Sequence, residues 1–179
     1  KLIEADISEQ EKTSTYFLEI DYVFHQAAVP SVPQSIAEPL LTNNSNINGT
    51  ISVLENCRTN KVKKVVYAAS SSAYGDTEVL PKAISMKPSP LSPYAVQKLS
   101  GEMYCKTYFD NFGLRTTSLR YFNVYGPYQD PNSEYSAVIP IFINRALARK
   151  PITIFGDGTT SRDFTFIEDV IQANLRAAL

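Results

Sequence analysis

The chain has 179 residues, 44% of them hydrophobic, with a net charge of −1. This suits one domain or slightly more and excludes a disordered chain, and the scattered basic residues exclude a polybasic nucleic-acid surface. No apolar run is long enough for a bilayer and no signal peptide opens the chain, so a cytoplasmic protein with no membrane partner is expected. His25 is the only histidine and the two cysteines, Cys57 and Cys105, lack metal spacing. No metal site or histidine triad is expected, and both thiols read as free and buried.

Apolar runs alternate with helical patterns, the mark of an α/β fold with a parallel sheet. Residues 1–6 read like the tail of a strand, and Asp21–His25 as a short strand. Gln26 to Pro39 reads as a polar, proline-rich loop. Leu40 to Asn60 reads as a helix interrupted by Gly49, a glycine that suggests close packing against a neighbour. Lys63 to Ser70 is a buried strand ending in hydroxyls, and residues 75–91 form a loop. Ser92-Pro93 starts a helix as N-cap and first-turn proline, and Gly113 ends it. Leu114 to Asn123 is a strand, 125–135 a polar loop, and Ala137 to Lys150 a helix. Pro151 to Phe155 reads as a short strand before a Gly156-Asp157-Gly158 turn. Phe166 to Leu179 begins as strand or loop and ends as helix. None of the seven glycines forms a G-x-G-x-x-G phosphate turn, so an internal fragment without its first βαβ unit and with a cut C-terminus is expected.

The strongest chemical signal is Tyr94-Ala95-Val96-Gln97-Lys98. Residues four apart share a helix face, and an ammonium beside a phenol favours the phenolate. Such a tyrosine can take a proton from a hydroxyl near neutral pH. Ser70, at a strand's carboxyl end, would complete a Ser/Tyr/Lys set. The plain alternative is a surface tyrosine over a solvated lysine. Asn123 also ends a strand, and could equally be a turn-former. Arg162 follows the glycine turn, where a guanidinium could fork a diphosphate or pair with Asp163 or Glu168. Asp6 could simply start a turn.

Four motifs occur in order: VVYAASSSAYG over 65–75, SPYAVQK over 92–98, LRYFNVYGP over 119–127 and GDGTTSRDFTFIED over 156–169. Together they resemble the NAD-dependent epimerase/dehydratase family, extended short-chain dehydrogenases that act on nucleotide sugars. His25-Gln26-Ala27-Ala28 and Ser31-Val32-Pro33-Gln34-Ser35 are most similar to UDP-N-acetylhexosamine and UDP-uronate 4-epimerases. The resemblance implies a Rossmann-like, doubly wound parallel sheet lacking its N-terminal βαβ unit. Residues 1–122 would form part of an NAD-binding domain, and 123–179 part of an interleaved substrate domain.

The resemblance also implies roles. Tyr94 would remove the sugar 4-hydroxyl proton, helped by Ser70, and Lys98 would bond the nicotinamide ribose. NAD would meet Asp6, Ile7, Gln26, Ala27, Ala28, Ser45 or its neighbour Asn46, and Phe122. The UDP-sugar would meet Ser31, Ser71 and Ser72, with Asn123 and Arg162 on its diphosphate. Ala137, Val138, Thr153 and Phe155 would line the uridine pocket. Family members usually dimerise through the helices near Asn48 and Glu102, so a homodimer is expected. Sugar 4,6-dehydratases carry an Asp-Glu pair where this chain has Ser71-Ser72, and decarboxylases differ after the histidine motif. Inversion at C4 is therefore the expected reaction. Dehydration, decarboxylation and a non-catalytic nucleotide-binding scaffold remain the alternatives.

Overall fold

The computed structural model describes residues 1–130, 138–154 and 156–179. They form two compact units, Lys1–Arg120 with Asn174–Leu179, and Tyr121–Ala173.

The first unit is built on a three-stranded sheet of order β1 (Tyr22–His25), β2 (Lys64–Ser70) and β3 (Thr116–Tyr121). β1 and β2 are parallel, in register from Tyr22 opposite Lys64 to His25 opposite Tyr67. Parallel neighbours need a long crossover. α4 (Gly49–Thr59) supplies it between β1 and β2, and α5 (Pro93–Phe112) lies between β2 and β3. The middle strand is buried from Val65 through Ala69. That is why it reads as an unbroken apolar run rather than an alternating one. Val65, Tyr67 and Ala69 share one face and form the core with Leu54 and Cys57 of α4 and Cys105 of α5. This is the expected Rossmann-like α/β architecture.

α5 is specified locally at both ends. The Ser92 hydroxyl accepts from the Ala95 amide at 3.2 Å, Pro93 opens the first turn, and Gly113 closes it in the left-handed region at φ 71°. Ser92 and Gly113 therefore act as expected. Inside the helix, Gly101 sits against the buried Tyr67 ring, and a methyl group there would overlap the phenol. We expect Gly101→Ala to lower stability by at least about 1 kcal/mol, although alanine is the better helix former by about that amount. Urea unfolding would measure it, and an unchanged midpoint would contradict the close docking of α5 on β2.

Several boundaries differ from the sequence expectation. The loop of 26–39 contains a helix, α2 (Val32–Ala37), capped by Ser31. The helix expected over Leu40 to Asn60 is three pieces: α3 (Pro39–Asn43), a π-helical turn over Asn44–Asn48, and α4. Gly49 opens α4, and its neighbour is the Ile7 side chain. Residues 1–6 and 151–154 carry no ladder bonds and are not strands. A strand exists only when a partner completes its hydrogen bonds, and apolar runs such as Leu2-Ile3 and Ile152–Ile154 cannot supply one themselves. A short helix over Gln10–Thr13 (α1) follows the opening segment.

The second unit pairs β4 (Asn123–Tyr125) in parallel with β5 (Phe164–Phe166), Asn123 lying opposite Phe164. The single strand expected over Leu114 to Asn123 is thus divided, β3 in one sheet and β4 in the other. Tyr125 packs between Phe164 and Phe166, with ring centroids 6.3 and 5.5 Å away. α6 (Val138–Leu147) and α7 (Ile167–Ala178) complete it, the last residues of α7 belonging to the first unit. Among the described residues no helix is long and apolar enough to cross a membrane.

Candidate functional site

The carboxyl end of β2 delivers Ser70 directly into a short 3₁₀ turn, Ser71–Tyr74. Ser70 caps that turn. Its hydroxyl oxygen accepts from the Ser72 amide at 3.2 Å and from the Ser72 hydroxyl at 2.8 Å. Two accepted bonds leave its own proton to donate, and it bonds the Tyr94 phenol. Ser72 thereby orients the Ser70 hydroxyl. Ser71 is half-buried on the same turn.

Tyr94 and Lys98 lie one turn apart near the start of α5. The Tyr94 amide, an orphan donor at the helix N-terminus, donates to the Ser35 hydroxyl at 3.1 Å. Burial pushes the Tyr94 phenol above its ordinary value, and the Ser70 hydrogen bond opposes that rise. The sequence expectation was the opposite shift, driven by Lys98. The reason for the difference is where Lys98 points. Its Nζ donates to the Ala68 carbonyl at 2.9 Å, lies 5.2 Å from the Tyr67 ring centroid, and is 4% exposed. Desolvation lowers its pKa to about 8, and among the described residues no carboxylate holds it up. Lys98 is thus a half-committed cation: charged at neutral pH, and held only by neutral groups.

Beneath Lys98 lies His25, whose Nε2 is 2.8 Å from the Thr50 hydroxyl and whose ring is 5.5 Å from that of Tyr67. Thr50 spends its proton on the Asn46 carbonyl at 2.7 Å. His25 Nε2 must therefore be the donor in that pair. Burial first, and the Lys98 charge second, push the imidazole down to about 4 from 6.5. It is neutral in the fold and charged in the unfolded chain below 6.5. The unfolded state then binds more protons between those two values, so the His25 contribution to stability should be constant above pH 6.5 and fall toward pH 4. The full loss is about 3 kcal/mol. Because His25 is the only histidine, its imidazole resonance can be followed by NMR alongside urea midpoints. A titration near 6.5 in the folded protein would contradict this burial.

The remaining expected residues fall as follows. Asp6 is exposed, and its carboxylate is held below the usual range by the Ser8 amide and hydroxyl, each at 2.8 Å, so it does form a turn. Ile7 packs its side chain against Gly49 and the core. Gln26 and Ala27 are exposed and Ala28 is half-buried on the segment after β1, where Gln26 donates to Asn174 at 3.2 Å. Ser31 accepts from the Gln34 amide at 3.1 Å, a capping contact. Ser45 is half-buried in the π-helical turn.

In the second unit, the Asn123 amide side chain donates to the Asp163 carbonyl at 2.8 Å. It clamps β4 to the segment leading into β5. Arg162 is exposed and donates to the Ser161 carbonyl at 2.7 Å. Phe122 is half-buried between β3 and β4, Val138 opens α6, and Thr153 is exposed. Ala137 and Phe155 lie outside the described residues. The fold thus brings Ser70, Tyr94 and Lys98 together, with the segment after β1 tied to them through Ser35, Thr42 and Gln97, residues with no role expected from sequence. Ser35 and Gln97 lie inside the quoted 31–35 and 92–98 motifs, but nothing local says what they bond.

Both cysteines are free and buried, as expected, and burial raises each thiol to about 12. They are inert at neutral pH.

The chain is similar to several known proteins. A putative UDP-glucose 4-epimerase of Methanocaldococcus jannaschii is 40% identical over 99% of this chain and 58% of its own length. A UDP-N-acetylglucosamine 4-epimerase from Methanobrevibacter ruminantium, solved with UDP-N-acetylmuramic acid, superposes with a TM-score of 0.94 at 43% identity, covering 98% of this chain and 56% of its own. A UDP-glucuronic acid 4-epimerase from Bacillus cereus, solved with UDP-glucuronic acid and NAD, gives 0.88 at 40% identity over 98% and 54%. The chain therefore spans a little over half the length of the relatives it matches. The NAD dependent epimerase/dehydratase family matches over residues 1–179. On that match and on the grouping of Ser70, Tyr94 and Lys98, this chain belongs to the NAD-dependent epimerase/dehydratase family.

Proposed function

We propose that the protein inverts C4 of a UDP-sugar, a UDP-hexose, UDP-N-acetylhexosamine or UDP-uronate, with NAD as a resident cofactor. The observation that carries this is the Tyr94 phenol, half-buried, bonded by Ser70 and one helical turn from the buried Lys98 ammonium. The donor set suits the nicotinamide end of a dinucleotide. A lysine held only by neutral groups has a charge and donors to offer to ribose hydroxyls. Asp6, the Ile7 backbone, residues 26–28, Ser45 and Phe122 are the further cofactor contacts in this reading. NAD, when bound, supplies the acceptor and donor of hydride at C4.

The chain's own residues move the proton. Tyr94 Oη takes it from the sugar 4-hydroxyl, and Ser70 donates to the oxygen that develops charge. The 4-keto sugar then turns over, and Tyr94 returns the proton when C4 is reduced from its other face. Residues 123–179 serve as the substrate portion, with Asn123 and Arg162 toward the diphosphate and Ser31, Ala137, Val138, Thr153 and Phe155 around the nucleotide and sugar. Asn123 and Arg162 would have to exchange their carbonyl partners for phosphate oxygens. A homodimer through α4 and α5 is part of the proposal, supported by the exposed Val96 and Met103 on α5.

The test is incubation of the full-length protein with each UDP-sugar class and chromatography of the products. The 4-epimer is expected. A 4-keto-6-deoxy product would make it a dehydratase, a pentose product a decarboxylase, and nucleotide binding without turnover a scaffold.

A further inference from the structure

The segment after β1 and the helix bearing Tyr94 are joined by a chain of buried amides. The Val29 amide donates to Asn46 Oδ1 at 2.7 Å, and Asn46 Nδ2 returns a bond to the Val29 carbonyl at 3.1 Å. The same Nδ2 donates to Gln97 Oε1 at 2.8 Å. Gln97 Nε2 then donates to the Thr42 hydroxyl at 3.0 Å, which passes its proton to the carbonyls of Glu38 and Pro39. Asn46, Gln97 and Thr42 are 2%, 3% and 0% exposed.

Polarity in this chain is one-way. The Val29 N–H requires the Asn46 oxygen, which points Asn46 nitrogen at Gln97. That requires the Gln97 oxygen, and so its nitrogen meets Thr42. Neither amide can flip without stranding a buried donor against a donor, which costs about 1–3 kcal/mol each time. The π-helical turn over Asn44–Asn48 is what places Asn46 at this junction, and such turns tend to occur at functional positions. Gln97 itself stands between Tyr94 and Lys98, three residues after one and one before the other.

We infer that Gln97 is a positioning residue that couples the seating of residues 26–30 to the orientation of Tyr94 and Lys98. The inference rests on the reading above, in which residues 26–28 touch the cofactor and Tyr94 is the base. Gln97 does not touch the reacting atoms. It pins the rotation of α5 about its axis to the same Asn46 that grips Val29 on both sides. A misplacement of about 1 Å at a reacting group can cost about a hundredfold in rate, and a loosened α5 would allow that.

The experiment uses full-length, NAD-loaded enzyme carrying Gln97→Leu, or Gln97→Asn, which keeps the amide but shortens its reach. We expect kcat to fall about ten- to a hundredfold with KM for the UDP-sugar within about twofold. We also expect backbone hydrogen exchange of the 26–31 segment to speed up at least about tenfold in the cofactor-free protein, although the Gln97 side-chain hydrogen bonds go to Asn46 and Thr42. Unchanged exchange in a folded variant overturns the inference, as does a kcat within twofold of the parent, or an effect confined to KM. Failure of both variants to fold also overturns it, making Gln97 a structural residue only. Should the parent protein yield no epimer, the functional reading fails by itself, and the exchange measurement still decides whether Gln97 couples the two segments.

Discussion

Tyr94→Phe is expected to reduce turnover by about three to four orders of magnitude without unfolding the protein. One oxygen is removed from a side chain whose ring stays in place. The Ser70 hydroxyl loses an acceptor but keeps both of its bonds from Ser72, so the 3₁₀ turn retains its cap. Among the described residues the two other candidates do not serve as base: Lys98 is protonated at pH 7 and His25 is buried against Tyr67 and Thr50. Steady-state epimerisation with bound NAD measures the effect, and a kcat within tenfold of the parent would remove Tyr94 from the role. Ser70→Ala supplies the companion result. Ser70 favours the phenolate by donating to it. Its loss should move the acidic limb of the pH–rate profile upward, and a limb that stays or moves down would contradict the donor assignment.

Lys98→Met is expected to do two opposite things. Turnover should fall about a hundredfold or more, since in the proposed reading a charged ribose-binding donor vanishes. Stability at pH 7 should rise. Burial depresses the Lys98 pKa from 10.5 to about 8, so the fold disfavours the charged form. Here the unfolded chain binds the extra proton between pH 8 and 10.5. The parent protein therefore carries the whole penalty, up to about 3 kcal/mol, below pH 8 and sheds it as pH climbs to 10.5. The methionine variant has no such penalty. Its advantage should be greatest at neutral pH and fade in alkali. Thermal midpoints at pH 7 and pH 10 compare the two, and a variant less stable at pH 7 than at pH 10 relative to the parent would refute the argument. In the proposed reading Lys98 weakens the fold while serving the chemistry, the usual trade at such sites.

The parts of this molecule that were readable in advance are those whose cause is local. Ser92, Pro93 and Gly113 bracket α5 correctly because capping involves residues a few positions apart. The buried middle strand declared itself through Val65-Val66-Tyr67-Ala68-Ala69, apolar on both faces. By the same local rule, Ser31-Val32-Pro33 repeats the Ser-cap and early-proline signature of α5, and α2 could have been found; the density of prolines from Pro30 to Pro39 masked it. Pro151 to Ile154 has strand-like residues but no ladder, because pairing is decided by distant chain. In the site, the spacing of Tyr94 and Lys98 was evident, while the shift of the phenol was misjudged. Helical spacing puts two side chains on one face; it does not say that an ammonium will turn to the Ala68 carbonyl instead. The contact between Gln97 and Asn46 was opaque for a related reason. A polar side chain facing inward is recognisable only once its partner, 51 residues away, is known.

The π-helical turn over Asn44–Asn48 makes this stretch intolerant of length changes. A wide turn holds one residue more than regular helical geometry needs, so deleting any one residue from 44 to 48 would let the segment relax into an ordinary α-helix without breaking it. Each residue of α-helix corresponds to about 100° of rotation. The deletion would therefore leave helical content intact while swinging Asn46, or whatever took its place, away from Val29 and Gln97. Insertions and deletions in homologous chains should accordingly be tolerated in the 75–91 loop and purged from this single turn.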